Sequence, residues 1–526
     1  MNEPSGRPPE PSGPADAAGS RWLDRLERLG NLLPDPVFIF LWLIAALVVV
    51  SVLAGAAGWS ATNPLTGETL VATSLLSEAN LTRLFADMPQ TLTGFPPLGL
   101  VLTVMLGAAV AERSGLFHAL IGNAMRQVPR RWMTPSIFVI GVMSHHASDA
   151  AYVVLIPLAA FLYAEAGRHP LTGIAVAYAG ISGAFAGNYI PGQFDVLMLG
   201  ITAPAARLID PTWPLNPLGN WWFTAAIGVM FTPIAWYVTD RIVEPRLGTW
   251  RHRGEAADLL EPPKPLSEGQ RLGLRRAMWV ALGIVGLFAA LALWPGFTPL
   301  VDTSAEGPAR LTPFYRALIA GFMLLFLGCG WAYGSAAGTV TSHRDVVAMM
   351  ADGMRSMAPY IVIVFAAAHF IAMFAWSGMG PILAIKGADW LREVALPIPF
   401  LLLLLLLVSM VFDMLIGSAS AKWAAMAPIV VPMLMLLGVS PEMTTAAYRM
   451  GDSILNIVTP VASNFALVLV MCQRWAKDFG VGSLIALMLP YSIAFGFAGM
   501  ALVVTWVTLG LPVGPGAPSF MPVPAG

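Results

Sequence analysis

Two polar segments interrupt long apolar stretches of this chain in the same way, 274 residues apart. Ser144-His145-His146-Ala147-Ser148-Asp149-Ala150-Ala151 leads into an apolar run ending near Tyr163. Ser418-Ala419-Ser420-Ala421-Lys422-Trp423-Ala424-Ala425 leads into another ending near Leu437. Ser144/Ser418, Ala147/Ala421, Ala150/Ala424 and Ala151/Ala425 coincide at that one offset. About thirty residues after each comes an apolar stretch broken by small and polar residues, Gly180 to Asp195 and Gly451 to Asn464. Hydrocarbon cannot satisfy free backbone groups, so such breaks must face protein or a water-filled cavity. Broken segments at corresponding places in two halves are the sequence mark of a secondary transporter's midplane site. Transport is the reading this pattern favours.

Composition agrees. Hydrophobic residues make up 57% of the 526 and charged residues only 11%, with mean hydropathy +0.71; soluble domains carry roughly 25% charged residues. The chain reads as an all-α polytopic membrane protein. A net charge of −1 with no basic stripe argues against nucleic acid. Cys329 and Cys472 have no neighbours at metal-ligand spacing, which disfavours disulfide and metal frameworks. Residues 1–20 read as a disordered tail lacking the apolar core of a signal peptide.

A spanning helix needs ~20 apolar residues. Candidates fall at 36–56, 93–112, 171–205 (broken), 219–239, 277–294, 317–335, 351–376, 443–472 (broken) and 483–508. The stretches 133–163 and 396–438 are interrupted at their serine-rich tips, which favours re-entrant hairpins over pairs of full spans. Cations test the count. Arg21, Arg25 and Arg28, Arg113 to Arg131, the loop from Arg241 to Arg276, Arg344, Arg474 and Lys477 share one side if nine spans start from a cytoplasmic N-terminus. The hairpins then enter from opposite faces, an inverted repeat. The resulting organisation is a first half over 21–239, a cytoplasmic linker at 240–276 with a solvated loop 254–275, a second half over 277–510, and a C-terminal tail at 511–526. Met379–Leu391 reads as an amphipathic interfacial helix.

Ionisable groups inside spans are functional candidates by default: Asp149, Asp195, Asp413, Lys422, Arg449 and Asp452. Arg449 and Asp452, spaced i, i+3, can pair on one helix face, either as a structural ion pair or with one of them facing the cavity. Trp423 suits stacking on an aromatic substrate or plain helix packing. Asp195, after Tyr189-Ile-Pro-Gly-Gln-Phe194, suits cation or proton uptake, or capping of a restarting helix. Adjacent His145 and His146 point about 100° apart on a helix and chelate poorly; with no HExxH and no Gly-x-Ser-x-Gly, an intramembrane enzyme is disfavoured. Serine hydroxyls and unwound carbonyls are hard oxygen donors suited to Na⁺, and half-helix N-termini favour an anionic group. No Walker-type loop is present, so an ion gradient is the default energy source.

Four segments in order, Gly30 to Pro36, Ser144 to Tyr152, Ala421-Lys-Trp-Ala424 and Tyr448-Arg-Met-Gly-Asp-Ser453, resemble the AbgT family of p-aminobenzoyl-glutamate transporters over about 21–508. The resemblance implies nine spans, two opposed hairpins and a homodimer in the bacterial inner membrane. It also implies a cargo of p-aminobenzoyl-glutamate or sulfonamide-like antimetabolites, and functional positions at Asp195, Ser420, Trp423, Pro441, Arg449, Asp452 and Pro460. On that basis Trp423 is expected to stack on the cargo's ring and Arg449 to attract its carboxylate. A Na⁺ ion, if it is the coupling ion, is expected at Ser418, Ser420, Asp452 and Asn456, with a weaker counterpart at Ser144, Ser148 and Asn188. No organic cofactor is expected. Intramembrane Asp favours protons and the serine tips favour sodium, so the ion stays open, as does the direction of transport. A C4-dicarboxylate carrier of the same fold is the alternative; a small acid would need no stacking platform such as Trp423.

Overall fold

The computed structural model describes residues 36–62, 67, 69–144, 149–248, 250, 265–305, 310–462 and 464–521. The N-terminal tail, the middle of the linker, His145, His146 and Ser148 lie outside them.

The described chain is helical apart from one short hairpin, β1 (Ser60–Thr62) and β2 (Thr69–Val71). The first half runs α1 (Pro36–Ala56), α2 (Glu78–Ala86), α3 (Met88–Thr93), α4 (Pro96–Arg113), α5 (Leu116–Arg126), α6 (Met133–Ser144), α7 (Asp149–Glu165), α8 (Pro170–Tyr178), α9 (Gln193–Ala206), α10 (Trp221–Val238) and α11 (Glu244–Leu247). The second runs α12 (Glu268–Leu293), α13 (Thr312–Ala337), α14 (His343–Ser356), α15 (Ala358–Trp376), α16 (Met379–Val394), α17 (Ile398–Asp413), α18 (Ala419–Leu436), α19 (Pro441–Ile454), α20 (Phe465–Gln473) and α21 (Val481–Thr508).

Among the described residues seven helices are long and apolar enough to cross a membrane, or eight when α4 and α5, bent by 58°, count as one. The bend falls at Gly115, whose φ of 86° suits glycine. The expected spans 171–205 and 443–472 are absent from that count because each is split in two. α8 ends in a π-turn at Ala179–Gly183 and restarts as α9; α19 stops at Ile454 and restarts as α20. α18 reaches spanning length by itself, so length alone does not separate a hairpin arm from a span.

Several boundaries differ from expectation. The span placed at 351–376 starts at Ala358, because Pro359 opens a new helix; the preceding residues belong to a separate amphipathic helix, α14. The linker's end is helical from Glu268, capped by Ser267 and Gln270. Residues 511–521 pack onto the protein: Phe223 N–H donates to the Val513 carbonyl, Ser440 N–H to that of Ser519, and Val513 is fully buried. The amphipathic helix expected at Met379–Leu391 is α16, which buries Ile382, Ile385 and Leu391 and exposes Trp390.

The two halves pack in a reciprocal way. The first arm of each interrupted pair lies on the broken helix of its own half, α6 on α8 and the π-turn, α17 on α19. Each second arm also reaches the far portion of the other half's broken helix, α18 extensively on α9 and α7 by a smaller contact on α20, while α7 packs chiefly on α8 of its own half. Glycine permits these crossings: a Cβ at Gly180 would come 2.7 Å from the Phe138 carbonyl oxygen. One at Gly451 would come 2.8 Å from Ser409 Cβ. Outside this bundle, α12 buries only Gly273 and Ala277 and exposes Met278, Trp279, Leu282 and Val285, an apolar surface fit for lipid or another chain.

Candidate functional site

A chain of buried polar groups links the two broken helices. At one end Lys422, in the first turn of α18, bonds Asp413 at the end of α17 and lies 2.6 Å from Asp452 Oδ1 on α19. All three side chains are almost completely inaccessible, and Asp413 Oδ2 has no hydrogen-bond partner. Two carboxylates around one ammonium leave one formal negative charge in excess, which a low-dielectric interior tolerates poorly. The Tyr448 hydroxyl, 2.6 Å from the Ala419 carbonyl and 3.2 Å from Asp452 Oδ1, can donate its single proton to one of them at a time.

The Tyr448 ring stacks on Trp423, centroids 4.3 Å apart. Trp423 is fully buried, and its indole N–H donates to Thr202 Oγ1 on α9 at 2.9 Å. Thr202 lies 2.9 Å from Thr445 Oγ1, whose own proton goes to the Pro441 carbonyl, so Thr202 is the donor. One turn along α19, Arg449 Nη1 donates to Asp195 Oδ1 at 2.7 Å. Asp195 Oδ2 accepts from Asn188 Nδ2 at 2.7 Å and from the Gly192 N–H at 2.8 Å, and Asn188 in turn accepts from Thr224. Asp195 therefore caps the restarting helix α9 and holds a cation across the halves at once. A further bridge runs from the Tyr178 hydroxyl to the Asn456 carbonyl in the second break, 3.1 Å.

The intrahelical pair expected between Arg449 and Asp452 does not form. Both belong to α19, yet Arg449 reaches Asp195 while Asp452 takes Lys422. Partners from other helices, which spacing along one helix cannot show, hold each of them. The other expected positions within the described residues have local roles. Ser418 caps α18, with Oγ 3.4 Å from that of Ser420. Pro441 opens α19 beside its cap Ser440, and Pro460 sits in the second break. Ser144 donates to the Ile140 carbonyl. Glu442 was missed because it lies at the margin of an apolar run. It is buried, and its carboxylate accepts from Trp213 Nε1 at 3.2 Å. Together with Asp195, Thr202, Thr445 and Arg449 it lines a cavity of about 20 Å³, room for about one water.

A second cavity, of about 300 Å³, opens between α4, α7, α9 and α15. Both breaks reach it, through Ile181 and Phe185 on one side and Asn464 on the other. Phe194 lines it too and carries the Arg449 guanidinium over its ring, 5.0 Å from the centroid. Among the described residues no group of three or more His, Cys, Asp or Glu could hold a metal ion.

An all-helical membrane fold whose paired helix breaks enclose buried charges has the architecture of a solute carrier. The chain belongs to the AbgT family: the model described as the "AbgT putative transporter family" matches residues 21–521. It is 35% identical over 504 residues to the p-aminobenzoyl-glutamate transport protein of Escherichia coli (strain K12), covering 96% of this chain and 98% of that one. Two solved structures resemble it, each 38% identical and each covered completely. The Alcanivorax borkumensis YdaH transporter, described as having an unusual topology, superposes over 92% of this chain with a TM-score of 0.84. Neisseria gonorrhoeae MtrF, described as illuminating a class of antimetabolite efflux pumps, does so over 95% with a TM-score of 0.86. These relatives are membrane transporters, not enzymes.

Proposed function

We propose that this protein is a secondary transporter of p-aminobenzoyl-glutamate or a related aromatic antimetabolite across the bacterial inner membrane, driven by an ion gradient. The observation that carries the reading is the buried polar chain from Asp413 to Thr224, which joins the second interrupted pair to both broken helices and to α10. Its Arg449 offers a cation to a carboxylate, and Asp195 holds that cation until the cargo competes for it. The triad of Asp413, Lys422 and Asp452, with its excess negative charge, is where a coupling ion acts. A proton on Asp413 or Asp452 neutralises it directly, whereas a sodium ion shared by Ser418, Ser420, Asp452 and the Asn456 carbonyl must displace or share Lys422. Protons are therefore the favoured ion. The counterpart cluster of Ser144, Ser148 and Asn188 is weaker, since Asn188 is committed to Asp195 and Thr224.

The hairpins enter from opposite faces with the N-terminus cytoplasmic, and α12 supplies the contact between two copies. Alternating access follows when the bundle of α6–α9 and α17–α20 moves against the unbroken spans. The test is reconstitution in liposomes with labelled p-aminobenzoyl-glutamate under separately imposed pH and Na⁺ gradients, in both directions. Flux driven by one gradient and lost in Asp452→Asn supports a coupled carrier and names its ion. No flux under any gradient removes the cargo assignment.

A further inference from the structure

We propose that the cargo's aromatic ring is held in the 300 Å³ cavity at the helix breaks rather than on Trp423, and that Phe194 is a movable partition through which the cargo's carboxylate reaches Arg449. The proposal rests on the transport reading and adds to it a place for each half of the ligand.

Trp423 has no face to offer. It is fully buried, stacked on Tyr448 on one side and tied to Thr202 through its indole N–H. The cavity, by contrast, is lined by Tyr152, Phe185, Phe194 and Tyr360, with the amide side chains of Gln193 and Asn464 beside them. Phe185 and Phe194 already meet edge to face, centroids 4.5 Å apart, an arrangement aromatic rings favour and one that a further ring can extend. The volume lies at the lower end of small-molecule sites, which are apolar with a few placed polar groups. An arylamine ring with a para substituent matches that chemistry, and the amides suit its amino and carbonyl groups.

The second observation lies behind Phe194. Arg449 is buried, uses Nη1 for Asp195, and leaves its Nε without a hydrogen-bond partner. A carboxylate approaching that edge would take the open donor and a share of the guanidinium charge. The ring of Phe194 lines the cavity and also lies against this guanidinium, whose carbon is 5.0 Å from the ring centroid. Because Phe194 belongs to the first turn of α9, its rotation and the release of Asp195 would occur on the same turn. Walls from α4 and α15 on one side and from both breaks on the other place the cavity where moving and fixed parts would separate.

Photolabelling of the full-length protein in nanodiscs with 4-azidobenzoyl-glutamate tests this without any substitution. Saturable label, competed by p-aminobenzoyl-glutamate, is expected on peptides carrying Tyr152, Phe185 to Phe194 or Tyr360. Saturable label on the peptide carrying Trp423 overturns the ring placement and leaves the transport reading standing. Absence of any saturable label overturns both. Equilibrium binding gives a second measurement. Val101→Phe, which fills the cavity, and Tyr360→Leu, which removes one wall, are each expected to weaken p-aminobenzoyl-glutamate binding about tenfold or more. Folding of each variant is checked by its melting profile. Wild-type affinity in both folded variants overturns the proposal.

Discussion

Replacing Lys422 by methionine tests whether the buried triad is held together by charge. The substitution keeps the length and apolar stem of the side chain, so little cavity forms. It leaves Asp413 and Asp452 without their ammonium, in a place where both side chains are at most 2% exposed. Removing one partner of a buried ion pair costs about 3–5 kcal/mol when the other charge remains. Two carboxylates share this cation, so the upper part of that range applies unless a proton is taken up. Uptake of a proton at neutral pH by a carboxyl with an ordinary pKa near 3.9 costs about 1.4 kcal/mol for each pH unit of difference, which gives about 4 kcal/mol by the other route. The two routes agree. Thermal unfolding of purified protein in detergent should therefore show a marked loss for Lys422→Met, deeper at high pH than at low. Lys422→Met/Asp413→Asn, which returns the cluster to its original excess charge but leaves Asp452 without its ammonium, should recover part of that loss. A single variant as stable as wild type, or a double variant no better than the single, would refute an electrostatically coupled triad.

Three further outcomes follow from other contacts. Gly451→Ala places a Cβ against the Leu406 carbonyl and Ser409 where α17 crosses α19, and should cost about 1–3 kcal/mol by overpacking, read by the same melting assay. Trp423→Phe preserves the stack on Tyr448 and loses one hydrogen bond to Thr202, about 1 kcal/mol, whereas Trp423→Ala should cost about 3–5 kcal/mol; equal losses would refute the packing role. The Thr341 hydroxyl and the N–H groups of Thr341 and Ser342 all bond Asp345 at the start of α14, holding its pKa down to about 2. Its contribution is present above the unfolded value near 3.9 and is lost as pH falls toward 2, so Asp345→Ala should speed amide exchange in the first turn of α14 at pH 7 and change little near pH 2.

Much of this was legible in the sequence because lipid leaves so few options. The apolar lengths located α1, α10 and α21 closely and the ends of α12 and α13, and Gly180 to Asp195 announced the first break through its glycines, Asn188 and Pro191. Pro359 was equally visible, and Asp352 and Arg355 interrupt the apolar run just before it, so the boundary between α14 and α15 was there to be read. The site was legible as a list of residues and not as a set of pairs. Asp195 and Arg449 stand 254 residues apart, and only the reciprocal packing of the halves brings α9 against α18 and α19. Spacing along α19 suggested the partner that Arg449 does not take. Glu442 carried a signal, an acid next to an apolar run, but a first-turn acid is also the ordinary way to start a helix.

The same reciprocal packing has an energetic consequence. α18 touches α9, and α19 carries both Asp452 and Arg449 within one turn, so a change of charge at the triad and a carboxylate at Arg449 both act on the same two helices. On the proposed mechanism, protonating the triad would remove its excess charge and loosen the hold of Asp452 on Lys422, and a ligand carboxylate would compete with Asp195 for Arg449. Each event weakens one of the two ion pairs that tie α19 to its neighbours. If both states are sampled, the coupling is reciprocal by linkage: the factor by which a proton changes ligand affinity equals the factor by which ligand changes proton affinity. Measuring ligand affinity against pH and proton uptake on ligand addition, in the same protein, must then give one number. Affinity unchanged with pH, with no proton uptake on ligand addition, would mean that the triad and Arg449 act separately, despite sharing a helix.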